Sequence, residues 1–186
     1  LTLATNSMEV FRQAIQVVKE NPHPALLGLH LEGPYINPVK RGAHIQQYIK
    51  TATVEEVQAL LQEAGGVVKM ITLAPELTDA AVIELLLQHN VLISAGHSNA
   101  SFREAMDGFQ RGIQAVTHLY NAMSPLHHRD MGLPGAAFAS NAYASIIADG
   151  IHVDYEAIKI AKKLMGERLF LITDAVEEVL EGPYVH

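Results

Sequence analysis

Four positions in this chain carry groups that can do chemistry together. They are Glu32 in His30-Leu31-Glu32-Gly33-Pro34, His97 in Ser94-Ala95-Gly96-His97-Ser98, His118 in Thr117-His118-Leu119-Tyr120-Asn121, and Asp174 in Leu171-Ile172-Thr173-Asp174-Ala175. Each stands just past a short run of β-branched and apolar residues. One carboxylate and two imidazoles suit a divalent cation and leave a coordination position open for substrate. A second carboxylate beside such a cation can take and return a proton, and the set points to hydrolysis. Any one of these residues alone reads as an ordinary polar strand end. Together they are read as metal ligands Glu32, His97 and His118, with Asp174 as general base and acid. Zinc is the first candidate, and iron, cobalt or manganese can take a similar set.

Other polar residues cluster behind these four. His44, in Lys40-Arg41-Gly42-Ala43-His44, is placed to polarise a substrate carbonyl, and on position alone it is equally a surface loop residue. Arg129, in His127-His128-Arg129-Asp130, can grip a phosphate or pair with Asp130 in solvent. Amides near Asn121-Ala122 and the ring of His152, in Asp149-Gly150-Ile151-His152-Val153, can serve the same anion. Glu76, in Leu73-Ala74-Pro75-Glu76, is read as a structural residue lining the mouth, because Glu32 already supplies the carboxylate ligand.

Groups so far apart in sequence need a frame that brings strand ends together. The pattern predicts strands at Leu1–Ala4, Ala25–Leu31, Val67–Leu73, Val91–Ala95, Ala115–His118, Ala144–Ala148 and Leu169–Thr173. Amphipathic helices are predicted from a Ser7 cap through Lys19, at Val54–Ala64 behind Thr53, at Ala80–His89, at Phe102–Arg111 and at Tyr155–Met165. The Gly/Pro-containing stretch around Met131-Gly132-Leu133-Pro134-Gly135 reads as loop. Apolar strands alternating with helices imply an α/β fold with a parallel sheet, either a doubly wound open sheet or a (β/α)8 barrel. Polar residues end at least five strands (Glu32, Glu76, His97, His118 and Asp174), and a barrel gathers strand ends at one mouth. A TIM-like (β/α)8 barrel is therefore expected, with one strand missing.

The 186 residues suffice for one sizeable core, so residues 1–186 are expected to form a single catalytic barrel domain. Starting inside an apolar run at Leu1 and stopping in a loop at Val185-His186, they read as part of a longer protein. A net charge of −7 argues against sequence-independent nucleic-acid binding. No apolar run is long enough to span a membrane. Cysteine is absent, so disulfides are impossible and ligands must be His, Asp or Glu; a cytoplasmic enzyme is expected.

These segments, with Gly42-Ala43-His44, Leu73-Ala74-Pro75-Glu76, Ser98-Asn99-Ala100, Asn121-Ala122-Met123 and Ala148–Val153, closely resemble the N-acetylglucosamine-6-phosphate deacetylases of the amidohydrolase superfamily. They occur in that family's order over nearly the whole chain. The resemblance implies a distorted barrel with one or two metal ions at its mouth, held by Glu32, His97 and His118. It implies that Asp174 is the acid and base, that His44 orients the acetamide carbonyl, and that Ala43, Asn121, Ala122, Arg129, Asp149, Gly150, Ile151 and His152 contact sugar and phosphate. It also implies a homodimer gripping the phosphate partly across its interface. Water activated at the metal would attack the N-acetyl carbon, releasing acetate and glucosamine 6-phosphate. The chain departs from the family in lacking the first barrel strand, the small β-sandwich domain and the segment after the last strand. It also departs at Ala175-Val176-Glu177-Glu178-Val179. Another amidohydrolase, acting on a cyclic amide or an N-acyl amino acid, and a silent metal- or sugar-phosphate-binding barrel are the competing readings.

Overall fold

Consecutive strands are neighbours throughout the sheet of this computed structural model, which describes residues 1–176. The strands are β1 (Thr2–Ala4), β2 (Leu29–Glu32), β3 (Val68–Leu73), β4 (Leu92–Ala95), β5 (Ala115–Val116), β6 (Tyr143–Ile147) and β7 (Leu169–Ile172). Every pairing is parallel. A doubly wound sheet reverses its strand order at a switch point; this one does not, and its order is that of a barrel wall. The loop expected at Val185-His186 lies outside the described residues, as do Glu177, Glu178 and Val179.

One contact shows that the wall is curled. In a flat sheet β2 and β5 stand three strand spacings apart, roughly 14 Å. Yet the Glu32 carboxylate at the end of β2 lies 3.0 Å from His118 Nε2, just past β5. Helices cover the sheet: α1 (Met8–Glu20), α2 (Val54–Ala64), α3 (Ala80–Gln88), α4 (Phe102–Gln110), α5 (Gly132–Ala139) and α6 (Tyr155–Met165). Local sequence starts them where expected. Ser7 and Thr53 side chains accept from the amides of Val10 and Glu56, and Ser101 with Glu104 closes a capping box on α4. Phe11, Ile15 and Val18 turn the buried stripe of α1 onto a core that includes Leu31, Ile71, Ile93 and Ile146.

Two expectations about elements need correcting. Residues 132–139 form a helix rather than loop. Pro134 sits in its first turn, where the missing N–H would have no intrahelical partner anyway. The other first-turn amides find partners outside the helix: Asp130 Oδ1 accepts from Gly132 and Ser124 Oγ from Leu133. β2 begins at Leu29 rather than Ala25. His23 Nδ1 accepts from the Ala25 amide, holding a turn, and Gly28 follows at φ +139°.

Candidate metal centre

Glu32, His97 and His118 come from the ends of β2, β4 and β5, and their ligand atoms meet. Glu32 Oε1 lies 3.0 Å from His97 Nε2 and 3.0 Å from His118 Nε2, and the two Nε2 atoms are themselves 3.0 Å apart. All three residues are buried. The backbone is bent to achieve this: His97 has φ +46° and His118 φ +36°, left-handed conformations that cost a non-glycine residue about 1–3 kcal/mol each. Gly96 permits the turn, since a Cβ there would stand 2.7 Å from Thr72 Cγ2 and 2.9 Å from Thr117 Cβ.

The donor set fits a divalent cation. Two buried imidazole lone pairs at this separation, facing one carboxylate oxygen, need positive charge between them, from either a proton or a metal. His97 Nδ1 donates to the Lys40 carbonyl at 2.9 Å, which leaves Nε2 as the ligating nitrogen. A backbone carbonyl in this role fixes both the tautomer and the ring plane.

Burial opposes ionisation of Glu32, but hydrogen bonds from His118 and His97 outweigh it and hold the carboxyl well below the usual carboxylate range. His118 goes the other way: burial disfavours its charge, yet the hydrogen bond and charge of Glu32 raise it above the ordinary imidazole value. Without a bound cation the two therefore form a carboxylate–imidazolium pair, and a metal must displace that proton. Zinc affinity is expected to rise by about tenfold per pH unit while His118 is protonated, and to level off above its raised pKa. Chelator competition across pH 5.5–8.5 measures the slope, and a flat profile would contradict the coupling.

His44 completes the wall. Its ring lies 4.2 Å from that of His97, and its Nε2 is 3.9 Å from Glu32 Oε1. The Thr5 amide, which can only donate, points at His44 Nδ1 at 3.3 Å. Thr5 Oγ1 stands closer still to Nδ1, at 2.7 Å, so Thr5 holds the ring on that side and turns Nε2 toward Glu32. Burial, helped by the charge of His97, pushes His44 down to about 4, so the ring is neutral near neutral pH. Sequence reasoning missed Thr5. Its position at the end of β1, matching the other strand ends, was the available signal. Thr5 Oγ1 also donates to the Glu32 carbonyl.

The remaining predicted residues are distributed less tightly. Asp174 follows β7 at φ +52°, exposed and outside the three-residue cluster, yet its charge acts on His118 and His30. Ala43 lines a surface concavity with Arg41, His44 and Gln46. In the turn after His118, Tyr120 and Ala122 are also left-handed, and the Asn121 side-chain nitrogen is buried with no partner among the described residues. Both Asp149 oxygens are engaged within their own turn, accepting from the amides of Ile151 and His152 and from His152 Nδ1. Asp149 thus orients His152, which is exposed; Ile151 is exposed too, and a Cβ on Gly150 would strike the Tyr155 ring. Arg129 is exposed among Ser101, Arg103, Asp130 and Met131, and the structure does not bring it to the three ligands.

With this geometry in place, comparison with known proteins gives a consistent picture. The model of the Amidohydrolase family matches residues 2–180. The chain is 37% identical over 179 residues to N-acetylglucosamine-6-phosphate deacetylase of Haemophilus influenzae, covering 94% of this chain and 47% of that protein. It is 39% identical over 180 residues to N-acetylgalactosamine-6-phosphate deacetylase of a Shewanella species, covering 94% of this chain and 45% of the relative. The crystal structure of N-acetylglucosamine-6-phosphate deacetylase from Pasteurella multocida superposes with a TM-score of 0.89 at 39% identity, over 94% of this chain and 47% of that one. The chain thus spans about half the length of the curated relatives it matches.

Proposed function

The chain belongs to the amidohydrolase family, and from that premise we propose that residues 1–186 are a single catalytic barrel domain of an amino-sugar-phosphate deacetylase. The reaction is hydrolysis of the acetamide of N-acetylglucosamine 6-phosphate to glucosamine 6-phosphate and acetate. The observation that carries this reading is the mutual 3.0 Å approach of Glu32, His97 and His118 from three strand ends. These three hold a divalent cation, zinc being the first to test, which supplies Lewis acidity for activating water and polarising a carbonyl.

The protein's own groups do the rest. His44, a neutral ring, donates through Nε2, in the tautomer that carries its proton on that nitrogen, to the acetyl oxygen as negative charge develops there. Asp174 takes a proton from the attacking water and gives it to the departing amine. The Asn121 side-chain amide, the Ala43 and Ala122 backbone and the Asp149–His152 turn bind the sugar and its phosphate. Arg129 has no side-chain partner among the described residues and serves the phosphate from a neighbouring protomer of a homodimer. No helix among the described residues is long and apolar enough to cross a membrane, and we place the enzyme in the cytoplasm.

The deciding measurement is acetate release from N-acetylglucosamine 6-phosphate with added zinc, beside a His118→Asn control. Turnover that disappears in the control supports the reading. The same assay on the galactosamine epimer separates the two substrate types named among the relatives. Silence of the whole protein toward both would sink the function.

A further inference from the structure

Glu76 is left over once the three ligands, Asp174 and His44 have been assigned, and both its carboxylate oxygens are engaged. Oε1 accepts from the Asn37 side-chain nitrogen at 2.9 Å and from the Asn99 amide at 2.6 Å. Oε2 accepts from Ser98 Oγ at 2.7 Å. Glu76 stands outside the cluster formed by Glu32, His97 and His118, and these three donors hold it in the loops beside it.

The partners lie on two loops, and both loops grip His97. Asn37 follows β2. Its backbone N–H donates to the His97 carbonyl at 2.8 Å, and its Oδ1 accepts from Val39, capping the short 3₁₀ turn at Pro38–Lys40. That turn delivers the Lys40 carbonyl to His97 Nδ1. Ser98 and Asn99 are the two residues after His97 itself. Glu76 therefore ties the loop that sets the His97 ring to the loop that carries His97. The tie matters because His97 is held at φ +46°, a conformation that does not persist without support.

We infer that Glu76 is a positioning residue that clasps the β2 and β4 loops and so fixes the ring plane and tautomer of His97 for cation binding. The inference rests on the reading of Glu32, His97 and His118 as a cation site. Outer partners of metal-binding histidines typically contribute about 10–100-fold in affinity.

The test uses Zn²⁺ alone as probe, on Glu76→Ala and Asn37→Asp. The second variant keeps the shape and the cap to Val39 but turns a donor facing Glu76 into a like charge. Each is expected to bind Zn²⁺ about 10–100-fold more weakly, with the double variant no worse than the weaker single one, because both break one unit. Imidazole ¹H–¹⁵N spectra recorded without metal are expected to show His97 leaving its Nδ1–H form in both variants. A residue important only for folding would lower the unfolding midpoint and leave the affinity and tautomer of the folded protein alone. If Glu76→Ala does not unfold cooperatively, Asn37→Asp carries the test. Unchanged affinity or an unchanged His97 tautomer in a cooperatively folding variant overturns the clasp. Failure of the unsubstituted protein to bind Zn²⁺ overturns instead the cation-site reading beneath it.

Discussion

Glu32→Gln is expected to cost the protein its cation and its turnover together. The carboxylate is the only negative charge among the three clustered ligands, and it touches both ring nitrogens at 3.0 Å. Removing one member of a buried charged pair costs roughly 3–5 kcal/mol, or between about 10²- and 10⁴-fold in an equilibrium constant. Zinc affinity is expected to fall by that factor and acetate release to fall with it at limiting zinc. The same substitution changes how stability follows pH. Glu32 is depressed from 4.5, so its contribution is present above that value and is lost as pH falls toward its folded pKa. His118 is raised from 6.5, so its contribution is present below that value and is lost as pH rises through its folded pKa. Metal-free protein therefore gains most from the pair between those two values, and the glutamine variant is expected to lose that gain. Urea midpoints measured from pH 4 to 8 in a chelator, beside zinc titrations, check both effects. Retained stoichiometric zinc at unchanged affinity would remove Glu32 from the ligand set.

Asp174→Asn is expected to do the opposite: abolish turnover and keep the cation. Asp174 stands outside the ligand triangle, exposed at the end of β7, and reaches His118 through its charge. An amide of the same shape cannot take a proton from water or hand one to an amine. Loss of a positioned acid and base lowers kcat by about 10²–10⁴-fold. Metal content by atomic absorption is expected to match that of the unsubstituted protein. Loss of zinc along with activity would make Asp174 a ligand, and survival of activity would put the base elsewhere.

The frame and the clustering of Glu32, His97 and His118 were both readable from the chain because their signals are carried by side chains in regular patterns. Seven apolar runs alternating with helices pointed to the parallel order, and the polar residues ending five of them marked the mouth. Gly132–Ala139 was misread because Gly and Pro normally break helices; its amides are satisfied by Asp130 and Ser124, a tertiary arrangement with no local signature. The Lys40 carbonyl that orients His97 was illegible for a plainer reason: a backbone oxygen looks the same at every residue. Thr5, one residue past the first predicted strand, has no motif of its own, although its amide and hydroxyl hold His44 Nδ1. Glu76 was seen and set aside as lining, since sequence position cannot show which donors occupy a carboxylate. The hydrogen bonds by which Asp149 shapes the turn carrying His152 were equally illegible, because they depend on the fold of that turn.

Glu32, His97 and His118 are separated by up to 86 positions in the chain and meet from the ends of β2, β4 and β5. A cation held there is a removable cross-link over four adjacent strands. A ligand that binds only the folded form adds stability according to its free concentration, about 2.7 kcal/mol at a hundred times its dissociation constant. On the proposed reading, the persistence of this seven-stranded wall would be set partly by the surrounding pool of metal, and scarcity of that metal would loosen the scaffold as well as silence the chemistry.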